Sequence, residues 1–544
     1  MNDRFDYDWL VIGSGFGGSV SALRLSEKGY GVGVLECGRR FADHEFAKNT
    51  GDLRRYTWRP KLGMKGIFRL TIFRDVAVVS GCGVGGGSLG YANTLYVPPK
   101  AFFEDEQWSG MEDWHSALAP HYAEAQRMLG VTQNPHDDPA DQLLRQFGEE
   151  LGVSDTYQKT PVGVFFGEPG KTVPDPFFGG DGPDRTGCQL CGRCMVGCPH
   201  GAKNTLVKNY LYFAERRGAR VMPERTVIDI RPLGKGDGSE GFEVESVRSG
   251  AWLRKDRKVH RARGVVVAAG PLGTNTLLQR CRLGGSLPRI SSRLGELVRT
   301  NSEAILTVTV PEDYPEDLAK RVAITSSIYP DPHTHIETVS YGKDGDSMRP
   351  LYTLIVGDGT RVTRPLKMLG QFLLHPKRLA QLVFAKQWSR RTIIILVMQT
   401  LDNAIALRPR RGPFGSLWLR TEQDPERPNP TFIPVANQAA EWFAKRTGGI
   451  AQSSILEALF NIPTTAHILG GAVIAADRER GVVDGHQRVF GYENLLVCDG
   501  AAVPANVGVN PSLTITALAE HAMSHVPAAG AADAAAAETT RAAA

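Results

Sequence analysis

Long apolar runs are missing from this sequence. A membrane span needs roughly 20 consecutive apolar residues. The longest such run in the second half, Thr392–Met398, is only a strand's length. No secretory leader is visible. A polar start, Met1–Asp8, leads straight into a strand and a glycine turn that cleavage would destroy, so a cytoplasmic chain is expected. Charge of one sign is also scarce. With 63 Lys+Arg against 58 Asp+Glu, the net charge of +5 offers no argument for a nucleic-acid partner. Cysteine is too sparse, at 8 in 544 residues, for a disulfide scaffold. Four of the 8 nevertheless fall between positions 188 and 198. With 42% hydrophobic and 22% charged residues the bulk of the chain is an ordinary globular one. Its length predicts roughly three to four domains.

Glycine is plentiful and clustered. Tyr7–Ile12 is a short apolar run, Gly13-Ser-Gly-Phe-Gly-Gly18 follows, and Ser19–Lys28 has near-helical spacing. Gly31–Leu35 is a second apolar run, ending in Glu36. This predicts a βαβ unit with a dinucleotide fingerprint. Gly13 makes the tight turn, Gly15 lets backbone approach a pyrophosphate, and Gly18 lets helix and sheet pack closely. Free N–H groups at the helix start face the phosphates. Glu36 is placed to bind both hydroxyls of an unphosphorylated ribose.

The fingerprint alone does not separate FAD from NAD. Two further cradles favour FAD. One is Gly81–Leu89, containing Gly85, Gly86, Gly87 and Ser88. The other is Asn494–Pro504, a strand ending in Asp499-Gly500, suited to a ribityl or phosphate contact. A buried strand, Gly264–Gly270, lies between them.

Taken together, these motifs resemble the glucose–methanol–choline (GMC) flavoprotein oxidoreductases, and within them most of all the bacterial and actinobacterial cholesterol oxidases. The resemblance rests on residues 13–39, 81–89, 265–278, 334–342, 465–473 and 491–522, which occur in the family's order. It implies an α/β (α+β overall) fold. A Rossmann-like FAD-binding domain would be assembled from residues 1–110, 185–300 and 462–526. Residues 111–184 would form a loop-rich insert, and residues 301–461 a substrate domain on a mixed or antiparallel sheet. Residues 527–544 form a low-complexity Ala-rich tail.

The resemblance also implies chemistry. A lipophilic secondary alcohol, above all a 3β-hydroxysterol, would lose a hydride to flavin N5 and a proton to a nearby side chain. His467, in Ala466-His-Ile-Leu-Gly-Gly471, and Asn510, in Gly508-Val-Asn-Pro-Ser512, match the family's active-site pair. Pro511 suits the first turn of a helix whose positive end would face the flavin. Glu337 lies where cholesterol oxidases carry an acid for 5-ene to 4-ene isomerisation; a surface glutamate is the other reading. His333 and His335 read as ordinary surface histidines. After Ser88-Leu89 the cholesterol oxidases continue with an Asn, whereas Gly90-Tyr91-Ala92-Asn93 stands here, so a different substrate-side wall is expected.

Cys188-x2-Cys191-x2-Cys194-x3-Cys198-Pro199 has the spacing of a bacterial ferredoxin loop, which predicts one [4Fe–4S] or [3Fe–4S] cluster. The same loop resembles that of bacterial FAD-dependent glucose dehydrogenases, with Cys191 extra. Zinc, redox-active disulfides and inert thiols are the alternatives. Cys37, Cys82, Cys281 and Cys498 read as buried small residues. A cluster would make the acceptor a quinone or redox protein instead of O₂. Oxidation of another hydrophobic alcohol, terpenoid or long-chain, and a pure electron carrier are the competing functions. Arg361–Arg391 holds eight Lys/Arg, no acid and many leucines. It reads either as a peripheral contact with an anionic membrane or as a solvated helix pair.

Overall fold

Leu10, Val11, Ile12, Val32, Val34, Leu35 and Val265–Val267 are all buried. Continuous apolar runs of this kind suit parallel strands covered on both faces. In the computed structural model, which describes residues 4–412 and 417–530, these runs form the heart of a seven-stranded sheet. Its order is Arg220–Met222, Val32–Leu35, Tyr7–Ile12, Lys258–Val267, Phe242–Arg248 and Arg225–Pro232. The short strand Leu495–Val497 pairs in parallel with Val265–Val267. Helix Phe16–Glu27 makes the crossover between the two N-terminal strands, which pair Trp9 with Val32 and Ile12 with Leu35. Three distant stretches of chain thus build one sheet, as the discontinuous α/β expectation requires.

A second seven-stranded sheet is antiparallel throughout. It runs Tyr352–Leu354, Ile450–Ser454, Ala304–Thr309, Thr392–Gln399, Thr334–Val339, Ile324–Asp331 and Gln158–Lys159. Alternation along Thr392–Gln399 gives this sheet two apolar faces. Ile393, Ile395 and Val397 pack under helices Pro139–Leu151 and Pro434–Thr447. Ile394 and Leu396 turn the other way and line a large cavity between the two sheets' territories.

Segment 111–184 differs from the loop-rich expectation. It carries helices Trp114–Leu129 and Pro139–Leu151, and its Gln158–Lys159 joins the edge of the second sheet. The Asp- and Pro-rich stretch is a helix start. Asp138 accepts from the backbone N–H of Ala140 and Asp141, Pro139 sits in the first turn, and Asp141 returns a bond to the N–H of Asp138. The tail beyond Gly530 lies outside the described residues.

Candidate active site

The fingerprint glycines divide into two kinds. A Cβ on Gly13 (φ +106°) would stand 2.1 Å from the Ala268 carbonyl oxygen, and one on Gly18 2.1 Å from that of Gly13. Both glycines permit the fold. A Cβ on Gly15 would meet nothing nearer than Gly86 Cα at 4.0 Å, so Gly15 keeps cavity space open instead. Gly86 (φ +53°) brings the second glycine loop against the first; its own Cβ would lie 2.5 Å from Gly15 Cα. Gly86 and Gly87 line the cavity, while Gly85 and Ser88 sit behind them. There the Ser88 hydroxyl donates to Gly85 O at 2.6 Å and accepts from Leu206 N–H at 3.1 Å. Those two residues shape the cradle from behind its surface.

Glu36 borders the cavity at the end of the second strand. Its carboxylate accepts from the Ser14 N–H (3.1 Å), the Ser14 hydroxyl (2.7 Å) and the Gly38 N–H (2.7 Å). Cys37 beside it departs from the expectation of a buried residue. It is half-buried on the cavity wall, with its sulfur 3.5 Å from that of buried Cys82. Asp499 accepts from Gly270 N–H (2.8 Å), Thr274 Oγ1 (2.5 Å) and Ala501 N–H (2.7 Å). Burial raises its pKa to about 6 against those bonds. Asp499 and Gly500 both line the cavity. Two glycine loops meeting backbone to backbone, an acid at the strand end and a cavity of about 980 Å³ fit an extended dinucleotide such as FAD.

Glu303, His467 and Asn510 line one part of the cavity, and Glu337 lies against Asn510 outside the lining. His467 Nδ1 contacts the Glu303 carboxylate, whose other oxygen accepts from Ala466 N–H at 2.9 Å. With Nδ1 so held, Nε2 is the nitrogen left facing Asn510, whose Nδ2 lies 3.5 Å away. The same Nδ2 donates to Glu337 Oε2 at 3.4 Å. Asn510 Oδ1 and Glu337 Oε1 are buried with no protein partner. Pro511 caps the helix Ser512–Ser524, one residue before the first turn it was expected to occupy. Pro511 and Ser512 line the cavity, so the positive end of that helix faces it.

Glu337 is fully buried, which rules out the surface reading. Strand alternation decides its direction. Ile336 packs toward the helices, and Glu337, paired with Leu396, points to the opposite face. Burial is the main cause that lifts its pKa to about 8; the Asn510 hydrogen bond works against that and Glu303 adds to it. His335, two residues earlier on the same face, corrects the surface expectation. It is 1% exposed, stacked on Tyr329, with both ring nitrogens unpartnered and its pKa pushed down to about 3 by burial. His333 is exposed as expected.

Glu303 was not foreseen. It lies in no motif, and in the sequence it is one more acid ahead of a strand. Two left-handed residues, Asn301 (φ 60°) and Ser302 (φ 46°), turn the chain immediately before it.

The apolar wall nearby comes from Phe68, Leu70, Ile305, Ile324, Ile394 and Leu396. Gly90, Tyr91 and Ala92 join the cavity lining where the wall was expected to differ. Cys188, Cys191, Cys194 and Cys198 do not reach it; they surround a separate small pocket of about 20 Å³.

A glycine-built cradle that fits a dinucleotide thus leads to a paired imidazole and carboxamide. Residues 182–296 and 396–519 match the N- and C-terminal GMC oxidoreductase family descriptions. A cholesterol oxidase of Mycobacterium tuberculosis is 53% identical over 532 residues, covering 96% of this chain and 91% of its own. One from Acinetobacter baumannii is 49% identical, covering 97% and 95%. Among solved structures, a pyridoxine 4-oxidase from Mesorbium loti shares the fold, with a TM-score of 0.58 at 16% identity, covering 95% of this chain and 99% of its own. The chain belongs to the GMC oxidoreductase family and is a FAD-dependent oxidoreductase acting on CH–OH donors. No described helix is long and apolar enough to cross a membrane.

Proposed function

We propose that this chain oxidises the 3β-hydroxyl of a sterol to the ketone and moves the 5-ene to the 4-ene. The observation that carries the reading is the convergence of His467, Asn510, Glu303 and Glu337 beside a cavity with an apolar wall. The cholesterol oxidases found at about half identity support the substrate class. Residues 1–110, 185–300 and 462–526 would seat the cofactor, and residues 301–461 the substrate. FAD, when bound, supplies the hydride acceptor.

His467 Nε2 and Asn510 face the hydroxyl, and the imidazole receives its proton. The Glu303 carboxylate holds the ring and stabilises the charge it gains. Loss of one hydride and one proton converts the alcohol to the ketone. Glu337 as carboxylate then takes a proton from carbon 4 and returns it at carbon 6, which leaves the electron count unchanged. Its raised pKa suits an acid–base shuttle near neutral pH.

The test is anaerobic mixing of the holoenzyme with cholesterol. Flavin bleaching followed by a conjugated enone in the product supports both steps. Bleaching only with terpenoid or long-chain alcohols replaces the sterol, and no bleaching by any alcohol ends the reading. E337Q is expected to bleach and to yield the unconjugated ketone.

The same reading includes a peripheral membrane contact, where sterols reside. Helix Thr363–Leu374 exposes Leu366, Leu369, Leu373 and Leu374, and helix Pro376–Val383 exposes Val383 and is followed by exposed Phe384. The basic run around them is partly neutralised. Arg361, Arg364, Arg390 and Arg391 pair with Asp75, Glu457, Asp317 and Glu312. The apolar surface would therefore dominate, with adsorption to vesicles weakly dependent on salt.

A further inference from the structure

The loop from Cys188 to Cys198 is curled by left-handed residues. Leu190 (φ 52°), Gly192 (φ 69°) and Gly197 (φ 101°) turn it inward. A Cβ would strike Gly342 Cα at 2.5 Å from Gly192, and the Phe46 ring at 2.4 Å from Gly197. The Leu190 N–H already points at the Cys188 sulfur, 3.4 Å away. All four thiols are free and line the one small pocket. Yet no three of their sulfurs lie within 4.8 Å of one another. Around a single zinc ion at about 2.3 Å, tetrahedral thiolates would be about 3.8 Å apart. As it stands, the set is too open to close on one ion.

The rest of the pocket favours an anion. Lys203 lines it, 1% exposed, donating to the carbonyls of Leu89 (3.1 Å), Tyr91 (2.7 Å) and Cys194 (2.9 Å) and to no carboxylate. Arg321, 2% exposed, binds Asp138 through Nη1, while its Nε has no partner. Asn93 is fully buried in the lining with both amide atoms unpartnered. Four neutral thiols give this buried ammonium no opposite charge, only the three carbonyls and the face of the Tyr91 ring at 4.6 Å. An anionic thiolate–iron–sulfide core supplies both the charge and the acceptors.

The pocket also adjoins the active-site cavity. Met195, next to Cys194, lines the large cavity, as do Tyr91 and Ala92, while their neighbour Asn93 lines the small one. Neighbours in sequence thus line the two pockets, and Lys203 donates to the carbonyls of both segments, at Tyr91 and at Cys194.

We propose that Cys188, Cys191, Cys194 and Cys198 bind one iron–sulfur cluster, which carries electrons from the flavin cavity to an external acceptor of quinone or redox-protein type. Alcohol oxidation releases two electrons. The cluster takes and passes them singly, its iron alternating between ferric and ferrous, and a quinone would gain both together with two protons. The electron-transfer half rests on the flavin reading above; the metal half does not.

Anaerobically purified holoenzyme is analysed for iron, acid-labile sulfide, zinc and FAD, and by EPR after dithionite reduction. About four iron and four sulfide per chain are expected, with the signal of a reduced cubane. Stoichiometric FAD without iron, or one zinc per chain, overturns the site; three iron overturns the role of a fourth thiolate. C194S is expected to lose iron and keep FAD. If that variant does not fold, the iron content and EPR of the unaltered chain still decide. Anaerobic alcohol, or photoreduction of the flavin if no alcohol bleaches it, is expected to bring up the same EPR signal. A reduced flavin beside an oxidised cluster overturns the outlet while leaving the metal site standing.

Discussion

The carboxylate of Glu303 grips both the ring of His467 and the backbone N–H of Ala466, across 164 residues of chain. Nδ1 of the imidazole is thereby occupied, and Nε2 is the atom left to face Asn510 and the cavity. A free histidine has two tautomers and a freely turning ring; this one has a single useful orientation.

On the proposed chemistry, Glu303→Gln leaves the ring in place but removes the charge behind it. Turnover is expected to fall about 100-fold, within the range attributed to general acid–base catalysis. KM for the alcohol should change little, and the pH–rate profile should shift. An unchanged profile with a raised KM would make Glu303 a packing residue only.

Asn510→Ala separates two effects. Alcohol oxidation should fall by about 100-fold or more, because one of the two groups facing the hydroxyl is gone. The hydrogen bond from Asn510 also opposes the rise of the Glu337 pKa, so without it that pKa should climb further above about 8. Isomerisation of a supplied 5-en-3-one, followed against pH, should show its midpoint moving upward.

Glu337 also governs stability. The folded chain holds its proton up to about pH 8, whereas the unfolded carboxyl releases it near the ordinary 4.5. Between those values the folded state binds more protons, so stability falls as pH rises through the window. E337Q removes that dependence and should gain on the unaltered chain by a few kcal/mol at pH 7. Urea unfolding of both proteins at pH 5 and pH 8 checks it; parallel shifts would mean that Glu337 is not held neutral.

Two neighbouring glycines should fail differently. Gly15→Ala puts its methyl into open cavity, so the chain should fold and lose flavin affinity. Gly17→Ala puts it 1.7 Å from the Cys498 carbonyl oxygen, so folding itself should suffer. Circular dichroism and flavin content, measured on both variants, distinguish the outcomes.

The βαβ start, the glycine loops and the family are legible in the sequence by itself, which also puts His467 and Asn510 forward as a pair. These are local signals: short runs, fixed spacings and turn residues whose backbone requirements can be read in place. The helix at Pro139–Leu151 is hidden in the sequence because its capping residues look like a loop's. Glu303 and the burial of His335 are invisible there, and the two readings of Glu337 stay open, since each depends on which face of a strand meets another segment far along the chain. Only the tertiary structure decides that, because burial and a partner's carboxylate belong to the packed state and not to any stretch of residues.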